Sequence, residues 1–412
     1  LERDSDGRGV RVAFALDMKI KTVRCVQINA HVAPPDPDAR PVWNEYATRS
    51  LPISRYGEFS RATGKMPGTT MPKVWVQVIA EDGTFGLGRC ANGEPAAALI
   101  DYYIAPLIEG RDALAIELIN DLIWRSHEGF QGGIATVAQS GVDIALWDLK
   151  GKILNRPVYE LIGGPQKKEI FCYASNTDIS YRTENSIEWF LELGFKAVKL
   201  FLREGPDAGL AGINRSEELV AGTREQVGDD IEIAVDGWMS LNTDYTVRLS
   251  EALRPYRIKW LEDYMLPDDM DSYFNLRQRI PYQTLATGEH WYGIHPFALA
   301  ASHGLVDIFQ PDLQWVGGMT AGIKICHLAE AYGLTVIPHA STNYPYGQHL
   351  AYAMPAVMWA ERSEGVSPPG VPLEEMVVLP GTPVIKDGYL KPSDAPGFGF
   401  EFDLDWVESK AI

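Results

Sequence analysis

Three apolar, β-branched runs follow one another near the middle of the chain: IEIAVDG (231–237), IKWLED (258–263) and TLATGE (284–289). Each run has a carboxylate at or near its end, and these carboxylates, Asp236, Glu262 and Glu289, lie 26 and then 27 residues apart. That interval accommodates one strand, one helix and their loops, which indicates successive βα units. In a parallel barrel the carboxyl ends of neighbouring strands converge on one rim, where catalytic groups lie. The three carboxylates are therefore expected to meet.

The same spacing continues toward the C-terminus with Asp312, His339 and Glu361. Eight runs in all are predicted strands: IFCYAS (170–175), AVKLFL (197–202), IEIAVD (231–236), IKWLED (258–263), TLATGE (284–289), DIFQPD (307–312), TVIPHA (335–340) and VMWAE (357–361). Helical segments separate them, so residues 166–379 are predicted to form an α/β barrel of the TIM type, with the acids on its C-terminal face.

Residues 19–165 have the pattern of a separate α+β domain. The alternation in KIKTVRCVQIN (19–29) predicts a strand, and a hairpin turning at Asp82–Gly83 follows it. Three helical runs then lead to Gly163-Gly-Pro, which marks the predicted domain boundary.

Three segments lie outside these regular elements. Residues 31–73 are rich in Pro, Gly and Arg but carry too many aromatic side chains for plain disorder, so we expect a flap that closes over a site. Residues 1–18 are predicted to be a disordered leader. The tail, residues 380–412, is too short to stand alone and is expected to pack on the N-terminal domain.

Composition limits the classes of partner. The chain has 412 residues, of which 46% are apolar and 22% charged, and its formal net charge is −18. Nucleic acid and anionic membranes both require a basic surface, so neither is an expected partner. The four scattered cysteines are predicted to be free thiols, and no apolar run approaches the roughly 18 residues of a transmembrane helix. Cytoplasm is the expected compartment.

The carboxylates Asp236, Glu262 and Glu289 are candidate metal ligands. Three acids at one rim would repel strongly unless a cation lay between them. Hard oxygen ligands in that number suit Mg²⁺, which keeps its other positions for water and substrate.

Asp312 and His339 lie one βα step apart and form a candidate acid–base pair. A carboxylate bonded to one imidazole nitrogen fixes the tautomer and raises the basicity of the other nitrogen. An imidazole facing a metal-held substrate carboxylate would remove the proton α to that carboxylate, while the metal stabilises the enediolate.

Lys199 on the second predicted strand points toward the same rim. Its ammonium would either neutralise a substrate carboxylate or act as a second base. The next inward position is Phe201, so the strand offers only one functional group. A single base favours elimination of a β-hydroxyl over racemisation, and protonated His339 would return its proton to the departing hydroxyl.

Other residues leave alternatives open. Glu361 is either functional or paired with its neighbour Arg362, and His290 either contacts substrate or supports the ligands. Three tryptophans follow strand ends and either line the pocket or pack against the rim: Trp238, Trp291 and Trp315.

These residues resemble the mandelate racemase type of the enolase superfamily. The resemblance covers nearly the whole chain from about Lys19 and is densest in six motifs: DGWMS (236–240), KWLED (259–263), GEHW (288–291), QPDLQWVGGMT (310–320), IPHAS (337–341) and PGFGFEFD (396–403). It implies a modified (β/α)7β barrel, a capping domain built from both termini, Mg²⁺ at the three carboxylates, a His339–Asp312 dyad and association into a homo-oligomer.

Within that superfamily the motifs are most similar to the L-rhamnonate dehydratase family. The likeness implies that Glu361 orients substrate and stabilises the transition state, that His290 contacts substrate, and that Arg61 is the flap arginine. The flap departs from the family pattern, and His31 stands only as a candidate for its substrate histidine.

The function expected from this likeness is Mg²⁺-dependent dehydration of an aldonate such as L-rhamnonate or L-lyxonate to a 2-keto-3-deoxy acid. That makes the chain a lyase acting on a small acid sugar. An epimerase, racemase or cycloisomerase of the same fold is the alternative, and a metal-binding barrel without turnover is a third reading.

Overall fold

The structure, a computed structural model, describes residues 18–28, 50–56, 59, 74–126, 128–175, 186–362, 379 and 381–402. Most of the predicted flap, including His31 and Arg61, lies outside the described residues, as does the predicted leader apart from Met18.

A three-stranded antiparallel sheet begins the described chain. Its strands are β1 (Ile20–Val26), β2 (Val74–Ala80) and β3 (Phe85–Cys90), in the order β1-β2-β3. The hairpin turns at Gly83, whose positive φ of 90° explains the glycine there. The early strand and the hairpin agree with the sequence-based prediction.

Helices pack on one side of this sheet. The bounds are α1 (Gly93–Leu99), α2 (Ala105–Ile108), α3 (Ile116–Arg125), α4 (Gly133–Ile153) and α5 (Val158–Leu161), with a π-helical segment, Ile100–Ile104, joining α1 to α2. The long helix α4 lies so close to β3 that a Cβ at Gly86 or Gly88 would collide with the α4 backbone. These two glycines therefore permit the close approach of helix and strand.

The second part of the described chain alternates strands with helices. The strands are β4 (Ile170–Ala174), β5 (Ala197–Phe201), β6 (Glu232–Asp236), β7 (Leu261–Glu262), β8 (Leu285–Thr287), β9 (Ile308–Phe309), β10 (Thr335–Val336) and β11 (Trp359–Arg362). The helices are α6 (Ser186–Glu192), α7 (Gly209–Val227), α8 (Thr243–Leu253), α9 (Met270–Arg279), α10 (His295–His303), α11 (Gly318–Tyr332) and α12 (Pro345–Ala353). All eight predicted strands are present, in the predicted order.

These eight parallel strands form a nearly closed barrel. Neighbours follow chain order from β4 to β10, and β11 pairs with β4. A bridge between Val336 and Val357 brings the two ends together. Large and small side chains fill the interior: Tyr173, Ala197, Ala234, Trp260, Ala286, Ile308 and Ile337. The barrel is thus a packed core whose functional surface lies at the strand ends.

The C-terminal segment contacts both the barrel and the N-terminal sheet and helices. A short strand, β12 (Tyr389–Leu390), pairs antiparallel with β4. Farther on, the Phe398 amide donates to Asp148 Oδ1 of α4 at 2.9 Å, and the Phe400 ring lies 5.5 Å from that of Trp75. The described part of the tail therefore contacts the N-terminal α+β region.

Helix α4 also anchors the barrel. The amide of Gly317 donates to Ser140 Oγ at 2.9 Å, and the amide of Thr320 donates to Asp143 Oδ2 at 2.9 Å. Trp147 Nε1 donates to the Thr320 hydroxyl at 2.9 Å. Side chains of one region thus satisfy free amides at the start of α11 in the other, and the carboxylate of Asp143 complements the helix dipole there.

Two compositional predictions can be checked. Cys25, Cys90, Cys172 and Cys326 are buried free thiols, as expected. Within the described part of the chain, no helix is both long and apolar enough to cross a membrane.

His349 in α12 should make stability sensitive to acid. Its ring is buried against Tyr159 and Phe398, and Nδ1 accepts the Tyr159 amide at 3.1 Å. Burial lowers the pKa of His349 to about 3 from its ordinary 6.5. The unfolded chain therefore takes up a proton first, and stability is lost as the pH falls below about 6.5.

His349→Asn keeps an acceptor for the Tyr159 amide but cannot titrate. Between pH 7 and pH 5 the wild type should lose about 2 kcal/mol more of its free energy of unfolding than the variant does. Urea unfolding of both proteins at the two pH values measures this difference. Parallel losses in the two proteins would contradict the prediction.

Candidate active site

The predicted site residues meet at the carboxyl ends of the barrel strands. Asp236 ends β6 and Glu262 ends β7, and the two residues are direct partners in the parallel pairing of those strands. Glu289, Asp312 and His339 follow β8, β9 and β10 within three residues. Every one of these side chains is predicted from the sequence, and the structure brings them to one rim.

Lys199 lies under the carboxylates. Its Nζ is 3.1 Å from Asp236 Oδ2 and 2.9 Å from Glu361 Oε1, and it donates to Glu262 Oε1. Burial disfavours the ammonium, but the attraction of three carboxylates outweighs it, and the pKa of Lys199 rises well above its usual range. A lysine that holds its proton so firmly is a poor base. The ammonium neutralises three carboxylates of the protein, and its predicted action on a substrate carboxylate stays a prediction.

Glu361 belongs to this cluster. Its Oε1 accepts from Lys199, and its Oε2 accepts the Ala340 amide at 2.7 Å. Burial raises the pKa of Glu361, but Lys199 and His339 outweigh it and bring the value to about 2. Arg362, the next residue in β11, donates instead to the Thr342 carbonyl. The functional interpretation of Glu361 therefore has better support than the simple neighbour pair.

His339 and Asp312 form the predicted dyad. His339 Nδ1 and Asp312 Oδ2 are 2.7 Å apart, while the Gln314 amide donates to Asp312 Oδ1 at 2.6 Å. Nε2 is directed toward Glu289, with 3.6 Å to Oε2. Burial lowers the pKa of His339, but Glu289 and the hydrogen bond to Asp312 raise it well above its ordinary value. The hydrogen bond to Asp312 orients the ring, and in the neutral imidazole it places the proton on Nδ1 and the lone pair on Nε2.

A second imidazole–carboxylate pair stands beside the first. His290 Nδ1 is 2.7 Å from Asp263 Oδ2 and 3.4 Å from Glu289 Oε1, and Thr287 donates to Asp263 Oδ1 at 2.7 Å. Burial lowers the pKa of His290, but Glu289 and Asp263 outweigh it and raise the value to about 9. Asp263 is not among the site residues predicted from the sequence.

The reason for that omission is local backbone geometry. Consecutive side chains of a strand face opposite sides, so regular alternation with Glu262 at the rim would direct Asp263 away from it. Asp263 instead has a positive φ of 46°, which interrupts the alternation at the end of β7. The doubled acid in KWLED was the available signal.

The three tryptophans that follow strand ends lie in different surroundings. The Trp238 amide donates to Asp236 Oδ1 at 2.8 Å, and the Trp238 ring lies 6.2 Å from that of Phe201, at the rim. Trp315 contacts the rings of both histidines. Trp291, by contrast, is buried against Phe297 and donates to the Pro267 carbonyl, so packing is its role.

The donor chemistry fits a divalent cation. Six buried carboxylates share the rim: Asp236, Glu262, Asp263, Glu289, Asp312 and Glu361. Lys199 supplies one fixed positive charge, and the two histidines supply at most two more. Burial raises the pKa of Glu262 to about 8, that of Glu289 to about 7 and that of Asp236 to about 6. A cation would offset both the cost of burying these carboxylates and their mutual repulsion.

The ligand set is a separate question. Among the described residues, the side chains whose ligand atoms lie within 4.8 Å of one another are Asp263, Glu289 and His290. The predicted set shares Glu289 with this group but otherwise uses Asp236 and Glu262, which are held by Lys199. Assignment of the metal to Asp236, Glu262 and Glu289 stays a prediction.

Comparisons with known proteins agree with this architecture. Residues 60–163 match the family "Mandelate racemase / muconate lactonizing enzyme, N-terminal domain", and residues 183–406 match the family "Enolase C-terminal domain-like". An L-rhamnonate dehydratase of Saccharopolyspora erythraea is 35% identical over 388 residues, which cover 93% of this chain and 96% of the relative.

Two solved structures are similar over almost their whole length. A crystal structure of L-rhamnonate dehydratase from Gibberella zeae has a TM-score of 0.83 and 30% identity, covering 97% of each chain. A structure of the rhamnonate dehydratase from Gibberella zeae complexed with Mg has a TM-score of 0.84 and 29% identity, covering 96% of this chain and 97% of that one. The names of these relatives agree with the expectation of a lyase. The chain belongs to the mandelate racemase / muconate lactonizing enzyme family of the enolase superfamily.

Proposed function

We propose that this protein is a Mg²⁺-dependent hydro-lyase that dehydrates an aldonate, L-rhamnonate or a close relative such as L-lyxonate, to the 2-keto-3-deoxy acid. The observation that carries the proposal is the His339–Asp312 dyad facing a rim of buried carboxylates that Lys199 holds together. The names of similar proteins, and the magnesium in one related structure, support the choice of substrate and metal.

The residues divide the work as follows. Bound Mg²⁺ would supply positive charge beside the substrate carboxylate, and the ammonium of Lys199 would supply a second positive charge. His339 Nε2 takes the proton from C2, and its imidazolium then donates that proton to the hydroxyl leaving C3, which departs as water. The resulting enol becomes the ketone by proton transfer to C3. Glu361, bonded to Lys199, would orient the substrate and stabilise the transition state.

Further assignments belong to the same proposal. His290 and Trp238 at the rim, together with Arg61 and His31 of the flap, would contact the sugar. Residues 19–165 and 380–412 would form the cap, and residues 166–379 the barrel. We also propose that the protein is cytoplasmic and that it forms a homo-oligomer. Sedimentation equilibrium tests the oligomeric state.

A screen of acid sugars tests the activity directly. Purified protein with Mg²⁺ is incubated with a library of aldonates and aldarates, and semicarbazide detects any α-keto acid. We expect product with L-rhamnonate or a stereochemically related acid. The absence of product across the library would contradict the proposed dehydration.

An isomerase of the same fold is the second candidate, favoured by one observation. The Asp263–His290 pair is a second acid–base group, and epimerases need two. Incubation in D₂O separates the two functions, since exchange at the α-carbon without formation of a keto acid would indicate an isomerase. Phe201 in β5, where a second lysine would serve a racemase, supports the dehydratase.

The metal site gives a sharper prediction. Glu289→Gln should weaken Mg²⁺ binding by about 10-fold or more and lower activity in parallel, because it removes a charged oxygen common to both candidate ligand sets. Isothermal titration with Mg²⁺ measures the affinity, and Glu330→Gln on the surface of α11 is the matched control.

Two further variants separate the ligand sets. Asp236→Asn should weaken Mg²⁺ binding strongly, whereas Asp263→Asn should weaken it less, since the proposal places Asp263 on His290 rather than on the metal. If Asp263→Asn weakened Mg²⁺ binding more than Asp236→Asn, the ligands would instead be Asp263, Glu289 and His290.

A further inference from the structure

The indole of Trp315 is shared by the two histidines. Its ring centroid lies 5.4 Å from that of His290 and 5.3 Å from that of His339, with interplanar angles of 35° and 34°. Both separations lie within the range of aromatic packing. One side chain therefore packs against both imidazoles, at nearly the same centroid separation and interplanar angle.

Packing against Trp315 restricts the orientation of each imidazole further than its hydrogen bond to an aspartate does. Each imidazole has its Nδ1 2.7 Å from a carboxylate, Asp263 for His290 and Asp312 for His339. A hydrogen bond at one ring nitrogen fixes the tautomer and the position of that atom. The ring can still shift in χ1 and χ2 together about that atom, so the direction of Nε2 also depends on what packs against the ring. Trp315 packs against both rings.

The segment that carries Trp315 is held at both ends. The Trp315 amide donates to the Asp312 carbonyl at 3.0 Å, and the Asp312 side chain bonds His339. Two residues farther on, the Gly317 amide donates to Ser140 Oγ of helix α4. A half-buried indole on so constrained a backbone is a rigid support rather than a mobile surface group.

Glu289 lies between the two Asp–His pairs and is close to both imidazoles. Glu289 offers one carboxylate oxygen to each imidazole, with 3.4 Å from Oε1 to His290 and 3.6 Å from Oε2 to His339. A ring that shifted in χ1 and χ2 together could keep Nδ1 near its aspartate while its separation from Glu289 changed. The placement of both imidazoles thus depends on the same packing partner, Trp315.

We propose that Trp315 is a positioning residue that sets the planes of both imidazoles and thereby directs His339 Nε2 at C2 of the substrate. The statement about C2 rests on the proposed dehydration, whereas the statement about ring planes does not. Trp315 acts through the histidines and does not itself react.

Three variants test the proposal. Trp315→Phe keeps a flat ring, Trp315→Ala removes it, and Trp315→Leu keeps apolar bulk without a flat face, so it carries the same test should the alanine variant fail to fold. With Mg²⁺ and the acid sugar found in the screen, we expect kcat to fall on the order of 10²-fold in the alanine and leucine variants. KM should change by less than about 3-fold, and phenylalanine should restore most of kcat.

Crystal structures of the wild type and the variants without substrate give a readout independent of activity. We expect the planes of His290 and His339 to turn in Trp315→Ala and Trp315→Leu and to stay in Trp315→Phe. Unmoved imidazoles would overturn the proposal, whatever the activity. A rise in KM at unchanged kcat would also overturn it, since Trp315 would then be a substrate contact.

The proposed function fails in a different way. A wild type that dehydrates no acid sugar would refute the dehydratase, and reoriented imidazoles in the variants would still support the positioning role of Trp315.

Discussion

His339→Ala is expected to abolish dehydration while Mg²⁺ and the substrate still bind. The variant loses the only group that the proposal assigns to both proton transfers, so kcat should fall by about 10⁴-fold or more. The ion pairs of Lys199 with Asp236 and Glu361 do not include the imidazole, so these carboxylates should remain in place. Stopped assays with semicarbazide measure kcat, and isothermal titration measures Mg²⁺ affinity.

The matched control is His327→Ala. His327 lies on the exposed surface of α11 beside Glu330, and its replacement should leave kcat within about 2-fold of the wild type. Dehydration that persisted in His339→Ala would remove this residue from the mechanism. Loss of Mg²⁺ binding in the same variant would instead show that the imidazole holds the metal site together.

Lys199→Met should give the largest loss of stability. The side chain is 1% exposed and neutralises three carboxylates that are equally buried. Removing one member of a buried ionic cluster leaves charge uncompensated, which costs about 3–5 kcal/mol of the free energy of unfolding. Urea unfolding in EDTA measures the loss, and added Mg²⁺ should recover part of it because a cation replaces the missing charge.

Lys259→Met makes the same chemical change at the opposite end of the barrel strands, where Glu232 begins β6. Lys259 Nζ lies 2.8 Å from Glu232, but both side chains are about 40% exposed, so its loss should cost at most about 1 kcal/mol. Equal stabilities of the two variants would contradict the account of Lys199 as the charge that the rim requires. Dehydration should be lost in Lys199→Met and kept in Lys259→Met.

Local patterns were sufficient for most of the architecture. Each barrel strand is a short β-branched run, and strands separated by helices at a regular interval can pair only as a parallel sheet. That arrangement places the strand ends at one rim, so Asp236, Glu262, Glu289, Asp312 and His339 could be grouped without coordinates. The rule works because the side-chain period of a strand and the direction of a parallel sheet leave no other face for those positions.

What lies beyond the pattern depends on contacts between distant segments. The choice between base and ammonium for Lys199 needed its three carboxylate partners, which come from β6, β7 and β11. Asp263 reaches the rim only because its backbone leaves the regular strand conformation, which no periodicity records.

The order of residues in the chain thus determined the barrel, the rim and the identity of the dyad. Tertiary structure alone decided which carboxylates pair with Lys199. It also decided that the Trp315 ring packs against both histidines. The physical reason is distance: periodicity is a property of neighbours in sequence, whereas pKa values, ion pairs and ring contacts depend on groups that meet across the fold. The Trp315 ring beside His290 and His339 is the clearest instance, since three separate loops bring those side chains together.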